Sequence, residues 1–130
     1  MPEARALIMD DSSVMRKIVA RALRQAGIDP LTVLEAASGS EALEMLKSQA
    51  VDLLVSDINI PSMDGIEFLR QVQAQYPALP VVVVTTESSA VFVRQAIQAG
   101  VRAYLRKPFT ADQVKERVLP LLRPSADEVR

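Results

Sequence analysis

The sequence predicts an α/β domain built on a parallel sheet, and three observations carry that prediction. Several short apolar runs are continuous rather than alternating, as strands are when helices cover both faces of a sheet. Patterns with helical period lie between them. Strand and helix alternate five times, which predicts right-handed crossovers within one sheet. The chain has 130 residues, 49% of them apolar, enough for one domain with its own core.

The elements follow in order. Strands are expected near Ala6–Met9, Leu31–Glu35, Asp52–Ser56, Val81–Val84 and Ala103–Leu105. The third and fourth show no polar face. The first helix is expected from Ser13 to Ala26, with Val14, Ile18, Ala22 and Ala26 on its core stripe and Gly27 as a left-handed stop. The second starts near Ser40 and carries Leu43, Leu46 and Ala50. The third begins around Asp64, carries Ile66, Leu69 and Val72, and stops before Pro77. The fourth runs from Ser89 to Ala99 and ends at Gly100. The fifth opens with Thr110 and Gln113, a capping box. Pro120 removes a donor and crowds the preceding turn, so this helix ends near Leu119 or kinks. Residues 1–123 form the domain, and 124–130 form a polar tail.

Composition removes several function classes. The formal net charge is −1, with no histidine and no cysteine. A broad electrostatic surface for nucleic acid is not expected. Neither a disulfide framework nor a Ser-His-Asp or Cys-His triad can be built, and zinc or copper sites are disfavoured. No run is long enough to span a membrane, and no signal peptide is evident. A cytoplasmic location is the expectation.

The apolar runs end in polar groups: Asp10 and Asp11 after the first, Asp57 after the third, Thr85 on the fourth, Lys107 past the fifth. Singly, each has a plain explanation. "DDSS" reads as a helix N-cap, a lone Asp as a turn residue, Thr85 as a strand former and Lys107 as a loop charge. Jointly, they fall at the carboxyl ends of strands, where open α/β sheets bind ligands. Three crowded carboxylates with one lysine call for a cation. An all-oxygen set of a few carboxylates plus water suits Mg²⁺. An aspartate beside that ion can act as a nucleophile toward a phosphoryl group, giving an acyl phosphate. Lys107 and Thr85 would contact phosphoryl oxygens.

With those residues in place, the chain resembles bacterial response-regulator receiver domains. "DDSSVMRKIV", "SDINIPSMDGIEFL", "VVVVTTES" and "AYLRKPFT" occur in the family's order and spacing. The likeness runs from Arg5 to about Leu122 and is strongest to the single-domain, CheY-like chemotaxis type. The resemblance implies a flavodoxin-like, doubly wound sheet of five strands in the order 2-1-3-4-5, with five helices. It implies Asp57 as phosphoacceptor. Asp10, Asp11, Asp57 and the backbone carbonyl of Asn59 would hold Mg²⁺, for which Mn²⁺ can substitute. Thr85 would be the switch hydroxyl, Lys107 the pairing lysine and Tyr104 the aromatic that follows Thr85. A cis Lys107–Pro108 bond is implied. Asn59 and Glu87 would tune loss of the phosphoryl group, giving a phosphorylated lifetime of seconds to minutes.

Such a domain is a phosphoacceptor switch rather than an enzyme with a separate substrate, and it assists its own phosphorylation and dephosphorylation. Its partners would be a sensor histidine kinase or phosphotransfer protein and a downstream protein target. The target would meet helix 4, strand 5 and helix 5, where Val91, Phe92 and Val93 cannot all be buried and Tyr104 lies nearby. Arg16, Lys17 and Arg21 read as a solvated helix face, with steering of the kinase as a second role. Three positions depart from the chemotaxis pattern: Ile60 before Pro61, Thr86 after Thr85, and Pro120. An excised receiver from a longer regulator with its output domain missing is the alternative within the family. A flavin electron carrier would want a glycine- and hydroxyl-rich phosphate loop where Asp10 and Asp11 stand. An aspartate phosphatase would carry Asp-x-Asp on its first strand.

Overall fold

The structure, a computed structural model, describes residues 4–29, 31–57, 65–86 and 90–122. Five strands, β1 (Ala4–Met9), β2 (Leu31–Ala36), β3 (Leu53–Ser56), β4 (Val81–Thr85) and β5 (Ala103–Arg106), form one parallel sheet in the order 2-1-3-4-5. The helices are α1 (Ser13–Gln25), α2 (Gly39–Ser48), α3 (Gly65–Gln75), α4 (Ala90–Gln98), α5 (Ala111–Arg117) and α6 (Leu119–Leu122). The doubly wound prediction holds, with six helices among the described residues in place of the five expected.

The extra helix has a local cause. Thr110 and Gln113 form both bonds of the expected capping box. α5 then stops at Arg117, short of the Leu119 boundary, and the four-residue α6 follows. Pro120 lies in the first turn of α6, where no amide donor is required. Residues 123–130, including the expected polar tail, lie outside the described residues.

The sheet separates two apolar layers. Ala6 and Ile8 of β1, Leu53 and Val55 of β3 and Val82 and Val84 of β4 face α1 and α5. Their alternate neighbours, Leu7, Met9, Leu54, Val81 and Val83, face the layer of α2, α3 and α4. This alternation explains the continuous apolar runs: β3 and β4 are buried at every position. Gly27 and Gly100 have φ of 103° and 97° and end α1 and α4 in the left-handed region, as expected.

The core stripe of α1 is rotated from its predicted position. Val14 and Ile18 are 65% and 47% exposed, whereas Val19, Ala20, Ala22 and Leu23 are buried. Both patterns have helical spacing, so spacing alone did not choose between them. In α2, Ser38 is the N-cap and the helix ends at Ser48, leaving Ala50 outside; Ala42 and Leu46 are its buried apolar side chains. The expected first residue of α3, Asp64, lies outside the described residues. The corrected face predicts that Leu23→Ala lowers stability by about 2–5 kcal/mol in chemical denaturation. Val14→Ser should change it by about 0.5 kcal/mol or less. Equal losses would restore the original face.

Candidate functional site

The site is assembled where β1, β3, β4 and β5 end. Asp10 follows β1 and is 3% exposed; Asp57 follows β3 and is 8% exposed. The Asp57 amide donates to the Met9 carbonyl at 2.9 Å, extending the β1–β3 ladder and bringing the two acids together. Thr85, fully buried, closes β4. The Lys107 amide donates to the Thr85 carbonyl at 2.8 Å, so the loop after β5 is tied to the end of β4. The Lys107–Pro108 bond is cis, as expected.

The "DDSS" segment divides its labour. Ser12 is the N-cap of α1, its hydroxyl accepting from the Met15 amide at 3.2 Å. Asp10 Oδ1 accepts from the Ser12 amide at 2.9 Å. Ser12 therefore does the capping, and neither carboxylate is consumed by the helix.

Lys107 Nζ bridges two acids, at 3.1 Å from Asp57 Oδ2 and 3.3 Å from Asp10 Oδ2. Its side chain is 18% exposed. Carboxylate oxygens of Asp10, Asp11 and Asp57 all lie within 4.8 Å of one another, with Asp11 on the solvent side. At that spacing two unit charges repel by about 3.5 kcal/mol at an effective dielectric of 20. One lysine offsets one of three carboxylates, which leaves an acidic pocket able to hold a cation. The donors are hard oxygens and one face is open, which fits a divalent ion that keeps several waters.

The remaining expected residues are distributed as follows. Tyr104 is half-buried on β5, opposite Val83, and its carbonyl accepts from Arg117 Nη1 at 3.1 Å. On α4, Val91 is 61% exposed and Val93 half-buried; Ile97, which the sequence reading did not single out, is also 61% exposed. Thr86 is exposed and lines a pocket with Lys107, Pro108, Phe109, Met15 and Ile18. Asn59, Ile60 and Glu87 lie outside the described residues.

One member of the supposed solvated basic face belongs to this site. Lys17 and Arg21 are exposed, but the Arg16 side chain is only 15% exposed and pairs with Glu35. Nothing in the local sequence separates Arg16 from Lys17; only the rotation of α1 does.

A doubly wound sheet with an acidic, lysine-bridged pocket at its carboxyl edge defines a class of α/β protein, and sequence comparison assigns the family. Residues 6–119 match the response regulator receiver domain, and the chain belongs to that family of two-component signalling proteins. It is 45% identical over 114 residues to the chemotaxis protein CheY of Pseudomonas aeruginosa, covering 86% of this chain and 90% of the relative. A chemotaxis protein CheY homolog of Campylobacter jejuni is 40% identical over 125 residues, covering 94% and 95%. Among solved structures, CheY4 of Vibrio cholerae aligns with a TM-score of 0.81 at 32% identity over 93% of this chain and 100% of that one. A CheY-like receiver domain from Methanospirillum hungatei aligns with a TM-score of 0.82 at 26% identity, covering 93% and 94%.

Proposed function

We propose that the protein is a phosphorylation switch in which Asp57 takes a phosphoryl group from a phosphohistidine of a sensor kinase or phosphotransfer protein. The observation that carries this reading is the clasp of Lys107 on both Asp10 and Asp57 beside the exposed Asp11 carboxylate. A carboxylate oxygen of Asp57 forms the new O–P bond as the donor's P–N bond breaks, and the imidazole keeps the electron pair. Asp10, Asp11 and Asp57, with the Asn59 carbonyl, would hold Mg²⁺ or Mn²⁺. Such an ion, when bound, supplies positive charge opposite the phosphoryl oxygens. Lys107 would turn from the carboxylates to a phosphoryl oxygen, and Thr85 would donate its hydroxyl to another.

The response then passes from Thr85 to Tyr104 and to the face of α4, β5 and α5, where Val91, Val93 and Tyr104 would meet a protein target. Converting a 1:99 equilibrium to 99:1 requires the phosphorylated pocket to favour the active state by about 5.5 kcal/mol. New charge-assisted bonds from Lys107 and Thr85 would supply part of that. Asn59 and Glu87 would limit the phosphorylated lifetime to seconds or minutes. The protein would work in the cytoplasm as a switch that aids its own turnover; no described helix is long and apolar enough to cross a membrane.

The test uses a small acyl phosphate. With Mg²⁺ the protein should gain the mass of one phosphoryl group, removable by hydroxylamine, and excess chelator should prevent the gain. A hydroxylamine-resistant adduct, or one formed equally in chelator, would overturn the reading.

A further inference from the structure

Asp10 is held from four directions. Its amide donates to the Ala36 carbonyl at 3.1 Å. Its carboxylate accepts from the Ser12 amide at 2.9 Å and from Lys107 Nζ at 3.3 Å. Its carbonyl accepts from Arg16 Nη1 at 2.6 Å. The same guanidinium donates through Nε to Glu35 Oε1 at 2.8 Å. Arg16 thus spans two acceptors, one on β2 and one past the end of β1. A planar fork with two fixed directions suits such a span, and a flexible ammonium does not.

The carbonyl that Arg16 grips belongs to the Asp10–Asp11 peptide. Peptide planarity ties that oxygen to the Asp11 nitrogen and Cα. Holding it therefore fixes the Asp11 nitrogen and Cα, the point from which that side chain leaves the chain. Asp11 is exposed, and its carboxylate has no hydrogen bond or ion pair among the described residues. Its aim toward Asp10 and Asp57 rests on its backbone.

We propose that Arg16, braced by Glu35, is a positioning residue for the cation site, acting on Asp11 through the Asp10 carbonyl. This rests on the reading of Asp10, Asp11 and Asp57 as that site. Groups that orient metal ligands from behind typically change affinity about 10- to 100-fold when removed. The sign separates positioning from simple charge. Arg16 is a cation near a cation site, so Coulomb's law alone predicts that removing it tightens Mg²⁺ binding. Positioning predicts the reverse. Arg16→Lys keeps the charge and loses the fork, which isolates geometry.

The experiment is isothermal titration of Mg²⁺ into the full chain as wild type, Arg16→Lys, Arg16→Gln and Glu35→Gln, with thermal unfolding of each in chelator. We expect both Arg16 variants to bind Mg²⁺ about tenfold more weakly, and Glu35→Gln a few-fold more weakly. The backbone amide resonance of Asp11 should shift in each variant before Mg²⁺ is added. Unchanged affinity in the Arg16 variants, with or without lost stability, overturns the proposal, and so does tighter binding by Arg16→Gln. If the Arg16 variants fail to fold, Glu35→Gln decides through the Asp11 amide, which must shift before Mg²⁺ is added; an unshifted Asp11 amide overturns the proposal, because weaker binding by this variant would follow from the lost negative charge alone. A wild type that takes up no Mg²⁺ overturns the cation-site reading itself, a result distinct from wild-type binding that the variants leave unaltered.

Discussion

Asp57→Asn is expected to abolish labelling of this protein by a phosphohistidine donor, a loss of at least about a thousandfold. The amide keeps the size of the carboxylate and leaves Lys107 an oxygen to donate to. It lacks the anionic oxygen needed to form an acyl phosphate. Folding should survive, because the change removes one of three crowded negative charges. The measurement is transfer of radiolabelled phosphoryl from an autophosphorylated kinase, with thermal unfolding as the control. Labelling at the wild-type level would place the acceptor elsewhere and dissolve the proposed mechanism.

Lys107→Met is expected to produce a protein that leans on a divalent cation for stability. Lys107 Nζ lies within 3.3 Å of both Asp10 and Asp57, and all three side chains are largely buried. Removing one partner from a buried ion pair strands the others, at a cost of about 3 kcal/mol. Unfolding in chelator should therefore shift to lower denaturant. Added Mg²⁺ should recover most of the loss. The variant should also bind the ion more tightly. A positive charge held against the same carboxylates opposes a bound dication, so its removal should tighten binding by about tenfold or more. Wild-type stability in chelator together with wild-type Mg²⁺ affinity would mean that the lysine neutralises nothing here.

Much of the fold and of the site was legible in the sequence for one reason. Both faces of this sheet are buried, so strands appear as apolar runs, and the polar residues that close a run mark the sheet's carboxyl edge. Asp10, Asp57 and Lys107 could be assigned to that edge before their neighbours were known. The family likeness then supplied the strand order that periodicity leaves open. What the sequence hid were rotations and breaks. Val14 and Ile18 compete with Val19 and Leu23 for the core stripe of α1, and only packing against β1 and α5 chooses between them. Arg16 was hidden by the same ambiguity, since one residue, about 100° of helix, separates a half-buried clamp from a solvated cation. The early end of α5 was hidden because Pro120 is forbidden inside a helix yet welcome at the start of the next one.

The main-chain bond from Lys107 to Thr85 has a further consequence. The hydroxyl and the ammonium that would greet an incoming phosphoryl group are not independent parts. Thr85 ends β4 and Lys107 directly follows β5, and the two strands are held in fixed alignment with Thr85 opposite Arg106. Sliding β5 along β4 by one position would swing the lysine away from the acids while leaving every residue of the pocket in the chain. Calibration of the switch is thus stored partly in strand alignment, and an insertion in the turn before β5 could silence it as completely as loss of a charged group.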